Sequence, residues 1–184
     1  MSEVTTIRVG AESLPSVREM VSGVATPLVW LLDLGASASE DTLAALLQHA
    51  PGPAASLPVD VLGRPIEALM GRVTETDVAG ILEAVERHRL PLRHTHVTSL
   101  LIERDLVLDL PPPDPRRFGW YAGAEWTARL FARRRGMLVP ASQVRVDHCP
   151  AGSPLHALRV ARSARWPVGE TLRELRRSVT SRLG

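Results

Sequence analysis

The hydrophobic and polar positions of this chain follow two periods, which predicts strands interleaved with helices. Residues 27–34 form a continuous apolar run between breakers, which is typical of a strand buried on both faces. Residues 13–25 and 75–90 repeat their apolar positions at helical spacing. The pattern predicts strands over 4–9, 27–34, 58–63, 136–142 and 143–148, and helices over 13–25, 39–50, 75–90, 123–135 and 168–183.

Three further segments complete the predicted fold. Residues 51–58 form a loop after the second helix, residues 94–108 begin as a strand and turn helical near Arg104, and the prolines of 109–120 predict a rigid loop. The order of elements predicts an α/β class with a mixed, mostly parallel sheet flanked by helices. We expect one domain over 1–184, with an α/β core in 1–150 and an arginine-rich helical extension in 151–184 that carries a C-terminal amphipathic helix.

Composition bears on size and compartment. A chain of 184 residues with 45% hydrophobic content matches one compact domain. Its longest apolar run is shorter than the roughly 20 residues that cross a bilayer, and residues 1–10 do not resemble a secretion signal. The single cysteine, Cys149, forms no internal disulfide. We therefore expect a cytoplasmic protein.

Charge is unevenly distributed along the chain. All 22 basic residues are arginine, which we attribute to the coding bias of a GC-rich genome. Up to residue 111, 8 arginines stand against 15 acidic residues, whereas from residue 112 onward 14 stand against 5. The second half therefore either attracts anions such as phosphates and lipid headgroups or is a solvated basic face. No nucleic-acid reading motif accompanies it, so we expect no nucleic-acid partner.

Two blocks of the chain resemble family-two glycosyltransferases of the GT-A fold. The first, WLLDLGASASEDTLAALL (30–47), matches a strand that ends in an acidic metal motif before a helix. The second, over 97–142, follows the family order of strand, proline loop, aromatic residue, acidic pair, Glu-aromatic and Arg. The resemblance runs from about residue 5 to residue 148. It implies a truncated GT-A-like (Rossmann-like) fold whose N-terminal donor-binding half is missing.

The resemblance also implies roles for residues, some of them vestigial. Asp33 and His148 match the family's divalent-metal ligands, but Gly35 replaces the second acid of the strand-end motif. Carboxylate pairs in such enzymes hold Mg²⁺ or Mn²⁺ against the diphosphate of a nucleotide sugar. Ala122 and Gly123 stand at the positions of the acidic pair that supplies the catalytic base, and neither side chain accepts a proton.

Part of the family's framework is retained. Glu125 is the candidate catalytic residue, with acceptor positioning or a structural role as the alternatives. Trp120, Tyr121, Trp126 and Arg129 are the candidate substrate-binding residues, since aromatic faces pack well against sugar rings. Trp126 equally suits the core.

We therefore expect a degenerate, non-catalytic glycosyltransferase-like module in glycan or glycosylated-metabolite biosynthesis, with no cofactor. The alternative is an active family-two glycosyltransferase that uses Asp33, His148 and Glu125 at an atypical donor site with Mg or Mn. A third possibility is a zinc site formed by His94 and His96 with residues 147–149, although two ordinary strand histidines explain the first pair equally well.

The expected partners follow from the same features. A sheet edge left open by missing strands favours a homodimer or a complex with a full-length glycosyltransferase. A glycan or an anionic acceptor is the expected ligand. The amphipathic helix over 168–183 either packs on its own domain or makes peripheral contact with an anionic membrane.

Overall fold

Eight strands and six helices make up the described part of the chain. The computed structural model describes residues 3–10, 12–66, 69, 72–73, 90–147, 152–166, 168–169, 171–172 and 175–176. The strands are β1 (Val4–Val9), β2 (Leu28–Asp33), β3 (Ala36–Ala38), β4 (Ala54–Val59), β5 (Arg72–Val73), β6 (Leu90–His94), β7 (Ser99–Glu103) and β8 (Gly136–Val146). The helices are α1 (Val17–Ser22), α2 (Glu40–Leu47), α3 (Arg104–Leu108), α4 (Pro115–Phe118), α5 (Ala122–Arg133) and α6 (Pro154–Ser163), and short 3₁₀ turns at Leu14–Ser16 and Gly119–Tyr121 precede α1 and α5.

The strands form one mixed sheet. Its order is β1-β2-β7-β4-β8-β6-β5, and β3 pairs with β8 outside this path. The pairs β1–β2 and β4–β8 are parallel, and the other neighbouring pairs are antiparallel. The sheet is mixed, as predicted, but fewer neighbouring pairs are parallel than expected. The main reason is that β7 runs between β2 and β4 in the opposite direction.

Helices cover both faces of this sheet. On β2, Val29 and Leu31 belong to one buried cluster, which also contains side chains of α1, α3 and α5. Leu28, Trp30 and Leu32 of the same strand belong to a second cluster, which contains Leu46 of α2. Alternate side chains of a strand point to opposite faces, so β2 is buried on both. The prediction for the apolar run in 27–34 is confirmed.

Strand β8 changes partners along its length. Its first residues pair with β6, and its last residues pair with β3. Between these two regions its register against β4 jumps, because Ser56 aligns with Val139 but Leu57 aligns with Gln143. Residues 140–142 are therefore extra residues on β8, and the first of them is a proline, which has no N–H to give to a ladder. The two separate strands predicted over 136–142 and 143–148 meet at this irregularity.

A network of buried hydroxyl groups forms hydrogen bonds at this irregularity of β8. Ser56 Oγ lies 2.6 Å from Ser99 Oγ and 2.8 Å from Ser142 Oγ. Trp30 Nε1 donates to Ser99 Oγ at 2.9 Å, and Ser142 Oγ donates to the carbonyl oxygen of Thr42 at 2.8 Å. The network connects four strands, β2, β7, β4 and β8, to helix α2. It also gives partners to polar groups that would otherwise be costly to bury.

Other elements agree with the sequence in part. Strand β7 followed by α3 confirms the strand that turns helical near Arg104. Strand β4 begins at Ala54, inside the predicted loop, because pairing with β7 and β8 outweighs the weak strand propensity of alanine. The short elements β3, β6 and α4 were not predicted. The predicted helix over 75–90 lies outside the described residues, apart from Leu90, which begins β6.

The C-terminal part packs on a third cluster of its own. Its buried members are Phe118, Tyr121, Ala122, Ala157 and Val160, and Leu175 packs against them. Those residues of the predicted helix over 168–183 that the structure describes are helical. None of the helices in the described ranges has the length and apolar character that a bilayer crossing demands.

Substitution of Ser56 by alanine is expected to lower the free energy of unfolding by about 1–3 kcal/mol, because Ser99 and Ser142 both lose a buried partner. Urea denaturation followed by circular dichroism measures the change. Ser37→Ala, at an exposed position of β3, is the matched control and should alter stability by less than about 0.5 kcal/mol. Similar values for the two variants would show that the network adds nothing to stability.

Candidate functional site

A cavity of about 530 Å³ lies at the carboxyl ends of the parallel strands β1 and β2. Gly10, which follows β1, and Asp33 to Gly35, at the end of β2, form one side of it. The remainder is formed by residues 96–98, the turn before α5, the end of β8, and Leu14, Leu69 and Pro115. Open α/β sheets bind ligands at the carboxyl ends of their strands, so the topology marks this cavity as the candidate site.

Asp33 is the one acidic residue among the described residues that line the cavity. Burial raises the pKa of its carboxyl, against two opposing effects: the N–H of Gly35, which donates to Oδ1 at 2.7 Å, and the charge of Arg8. Arg8 is held nearby because its guanidinium donates to the carbonyl oxygens of Asp33 and Ala36 at 3.1 and 2.8 Å. A divalent cation prefers several ionised oxygens. A lone carboxylate with a raised pKa is a weak ligand for it.

Small residues in the cavity wall are part of its packing. A Cβ atom added at Gly123 would lie 3.3 Å from Val97 Cγ2 and 3.4 Å from Val97 N. The first turn of α5 therefore packs tightly against residues 96–98 at a position where the resemblance implies an acid. A Cβ atom added at Gly35 would lie 3.2 Å from Asp33 Oδ1, so the strand-end turn is equally tight. A larger residue at either position requires its neighbour to move.

Trp120 and His96 form an aromatic face of the cavity. Their rings are stacked, with centroids 4.0 Å apart and planes inclined by 23°. Tyr121 meets Trp120 edge-on at 5.0 Å and is itself buried. The sequence allows His96 to be a zinc ligand or an ordinary strand histidine, and it does not predict this stack, because a contact between distant residues leaves no sequence pattern. A flat aromatic pair of this kind packs well against a sugar ring or another flat apolar surface.

Glu125 and Arg129 form a structural link away from the cavity. Arg129 Nε lies 3.0 Å from each carboxylate oxygen of Glu125, and Ser163 Oγ donates to Glu125 Oε1 at 3.2 Å. Arg129 Nη1 also donates to the carbonyl oxygen of Pro111 at 3.1 Å. The pair thereby joins α5 to the proline loop and to α6. Neither residue is among the described cavity-lining residues. Their proposed catalytic and substrate-binding roles stay predictions.

The other predicted site residues are dispersed. Trp126 is fully buried in the core cluster that contains α5. His94 is buried and stacks on Trp166, with ring centroids 4.6 Å apart. His148 and Cys149 lie outside the described residues. Within the described ranges there is no group of three or more His, Cys, Asp and Glu side chains placed to hold a metal ion.

Comparison with known proteins identifies the fold and leaves the family open. No family model matches the chain, and no curated protein matches it in sequence. Among solved structures it is similar to the crystal structure of GalNAc-T7 with UDP, GalNAc and Mn²⁺, with a TM-score of 0.57 and 14% identity over 83% of this chain. It spans only 34% of that GT-A glycosyltransferase chain. A structure of a mycobacterial protein is 16% identical, with a TM-score of 0.46, over 92% of this chain and 53% of the other.

The predicted GT-A-like fold is thus confirmed. A similarity at such low identity shows the fold and not the activity. Membership of family two remains a prediction.

Replacement of Asp33 by asparagine tests the electrostatics of the cavity. A carboxyl whose pKa is raised by folding holds its proton more tightly in the folded chain, so its ionisation disfavours the fold as pH rises above the unfolded pKa. We expect Asp33→Asn to be the more stable protein at pH 7, by no more than about 1 kcal/mol because solvent screens a partly exposed group. The difference should close as the pH falls below about 4. Urea denaturation at several pH values checks this, and a difference independent of pH would contradict it.

Glu125→Gln tests the structural link. Loss of the charge weakens a nearly buried, two-oxygen contact with Arg129, so we expect the free energy of unfolding to fall by about 1–3 kcal/mol. The matched control is Glu103→Gln, whose more exposed pair with Arg134 has an N–O distance of 3.3 Å and should contribute less than about 1 kcal/mol. Thermal and urea denaturation compare the two. Equal losses would mean that the Glu125 pair has no special structural role.

Proposed function

We propose that this chain is a non-catalytic, glycosyltransferase-like module that binds the sugar part of a glycan or glycosylated acceptor in glycan or glycosylated-metabolite biosynthesis. The observation that carries the proposal is the composition of the cavity wall. The wall combines an aromatic face with a single acid, Asp33, and has Ala122 and Gly123 where a base would be needed.

The wall offers little to a transfer reaction. Removal of a proton from an acceptor hydroxyl needs a base within hydrogen-bond reach. Ala122 and Gly123 supply none, and Glu125 is bound to Arg129 away from the described lining. Asp33 is the one acid among the described lining residues, so it is a weak anchor for a divalent cation, but its oxygens can form hydrogen bonds with a sugar hydroxyl.

The same wall suits the binding of a sugar. Its volume of about 530 Å³ falls within the usual range of small-molecule sites, roughly 300–1,000 Å³. Trp120, stacked on His96, presents a flat apolar face, and Asp33 and Thr98 add polar groups to the lining. Apolar faces with a few placed polar groups are the common design of carbohydrate and other small-ligand sites.

The proposal includes a macromolecular partner. One candidate partner is a complete glycosyltransferase with the GT-A fold that this chain shares. Within the described strands, β1 pairs with β2 alone and lies at the edge of the sheet. An edge strand offers backbone groups to a further strand, which also allows a homodimer. Light scattering of the isolated protein separates these two assemblies.

Two tryptophan–histidine stacks allow a matched test of sugar binding. Trp120 stacks on His96 at the cavity, and Trp166, which does not line the cavity, stacks on His94. Both tryptophans are half-buried. We expect a panel of oligosaccharides, screened on an array and titrated by calorimetry, to contain a ligand whose affinity falls at least about tenfold in Trp120→Leu, since aromatic stacking contributes about 1 kcal/mol or more. Trp166→Leu should bind like the parent protein. Equal loss in both variants, or no binding across the panel, would refute the proposed site.

The alternative function, an active glycosyltransferase, has a different signature. Asp33 lies at the end of β2 and faces the cavity, which is the one feature that favours it. Calorimetric titration with UDP-, GDP- and dTDP-sugars, with and without Mn²⁺, separates the two functions. Metal-dependent binding that disappears in Asp33→Asn would overturn the non-catalytic proposal. If no sugar nucleotide of this panel binds while an oligosaccharide does, the non-catalytic proposal is supported.

A further inference from the structure

We infer that the outward face of α6, with the neighbouring arginines of α4, docks on an anionic lipid bilayer. None of the residues of this surface lines the cavity, although Pro115 of α4 does, and the inference does not depend on the proposed function. The basic α6 surface consists of two leucines and five arginines: Leu155, Leu158, Arg116, Arg117, Arg159, Arg162 and Arg165.

The spacing of these residues places them on one face of the helix. Residues 155, 158, 159 and 162 follow the i, i+3, i+4, i+7 pattern of a single helical face. All four are exposed, with 55% of Leu155 and 46% of Leu158 accessible to solvent. The opposite face is buried, through Ala157, Val160 and Ala161. The solvent-facing side of α6 therefore carries large apolar side chains as well as arginines.

The surface is held in place by the rest of the fold. Two glycines leave no space for a Cβ atom beneath α6 and its entry: Gly119 contacts the ring of His156, and Gly152 contacts the ring of Tyr121. Arg159 Nη1 donates to the carbonyl oxygen of Arg117 at 3.2 Å, which ties α6 to α4. A preformed surface loses little conformational entropy when it binds.

The charge of the surface is not balanced by ion pairs within the described residues. None of its five arginines takes part in one there. The segments 115–118 and 152–166 contain no acidic residue, and Asp114 accepts a hydrogen bond from the backbone N–H of Arg117 as the helix cap. The field of this face is therefore positive and attracts anionic headgroups.

The leucines favour a bilayer over other polyanions. A phosphodiester backbone pairs with arginine and gains nothing from exposed leucine side chains. An anionic bilayer offers headgroup phosphates for the guanidinium groups and an acyl region for the apolar side chains lying between them. A helix lying in the membrane plane with such a face buries its apolar residues by roughly 5–10 Å. The combination on α6 matches that geometry.

Vesicle flotation of the full chain tests the inference. We expect the protein to float with vesicles of phosphatidylcholine and phosphatidylglycerol at low salt, and to be released from them by high salt or when phosphatidylglycerol is omitted. The double variant Arg116→Gln/Arg162→Gln should lower the partition coefficient about 30-fold, since each basic residue near an anionic surface contributes about fivefold. Arg18→Gln/Arg93→Gln removes two exposed arginines from elsewhere and should change it far less.

A second pair of variants isolates the apolar contribution. Leu155→Gln/Leu158→Gln should lower the partition coefficient by about tenfold or more, because the leucines lose their place in the acyl region. Val61→Gln/Leu62→Gln, at exposed positions of a distant loop, should leave it unchanged. Circular dichroism verifies that each variant folds. Absence of flotation at low salt, equal losses in variant and control, or unchanged flotation of the leucine variant would overturn the inference, the last because it would indicate a partner that recognises charge alone.

Discussion

The arrangement of the site depends on the irregularity in β8, where residues 140–142 are extra residues of the strand. The hydroxyl groups around Ser56 give this irregularity its buried hydrogen-bond partners. On one side of it β8 pairs with β6, and on the other side it pairs with β3. The pairing of Ala36 with Val146 then holds the turn after β2 against the end of β8, where both line the cavity. A buried polar network whose own residues do not line the cavity thus supports the arrangement of the site.

Packing and electrostatics act together at the cavity. Close contact between Gly123 and Val97 brings α5 against the wall, and it does so with a residue that has no side chain to react. Val97 and Gly123, which pack against each other, line the same cavity as Asp33, and burial raises the pKa of the Asp33 carboxyl. The site therefore combines close packing with one partly buried acid among its described lining residues.

Helix α5 connects the cavity with the C-terminal surface. Its first turn lines the cavity, and Glu125, at the end of that turn, accepts hydrogen bonds from Arg129 of the same helix and from Ser163 of α6. Because the contact with Arg129 lies within α5, the hydroxyl of Ser163 is the part of this group that ties α6 to α5. Glu125, for which the sequence left catalytic, acceptor-positioning and structural roles open, connects these elements in the fold.

The spacing of apolar residues predicted those strands and helices whose buried positions repeat regularly within a single element. The apolar run of β2, the strand-to-helix change at Arg104 and the amphipathic helix over 123–135 were all predicted, because each depends on the spacing of neighbouring residues. Strand β4 was misplaced by a few residues, since its alanines have weak propensity and are ordered by the strands on either side. The antiparallel direction of β7 between β2 and β4 is likewise set when the strands assemble into a sheet, and the spacing of residues along the chain does not specify it.

By itself, the sequence determined that this is an α/β chain with a GT-A-like order of elements, that its second half is basic, and that acids are lacking at 35, 122 and 123. Each of these properties depends on short stretches of sequence or on a sum over residues, so each can be obtained from the sequence without knowing which residues are in contact. Only the tertiary structure decided that Asp33, Trp120 and Gly123 share one cavity, and that His96 stacks on Trp120 there. It also decided that Ser163 of α6 donates to Glu125, whereas the ion pair of Glu125 with Arg129 joins residues four apart on one helix. Contacts between residues distant in sequence arise from packing and pairing of whole elements, and the pattern around a single residue contains no record of them.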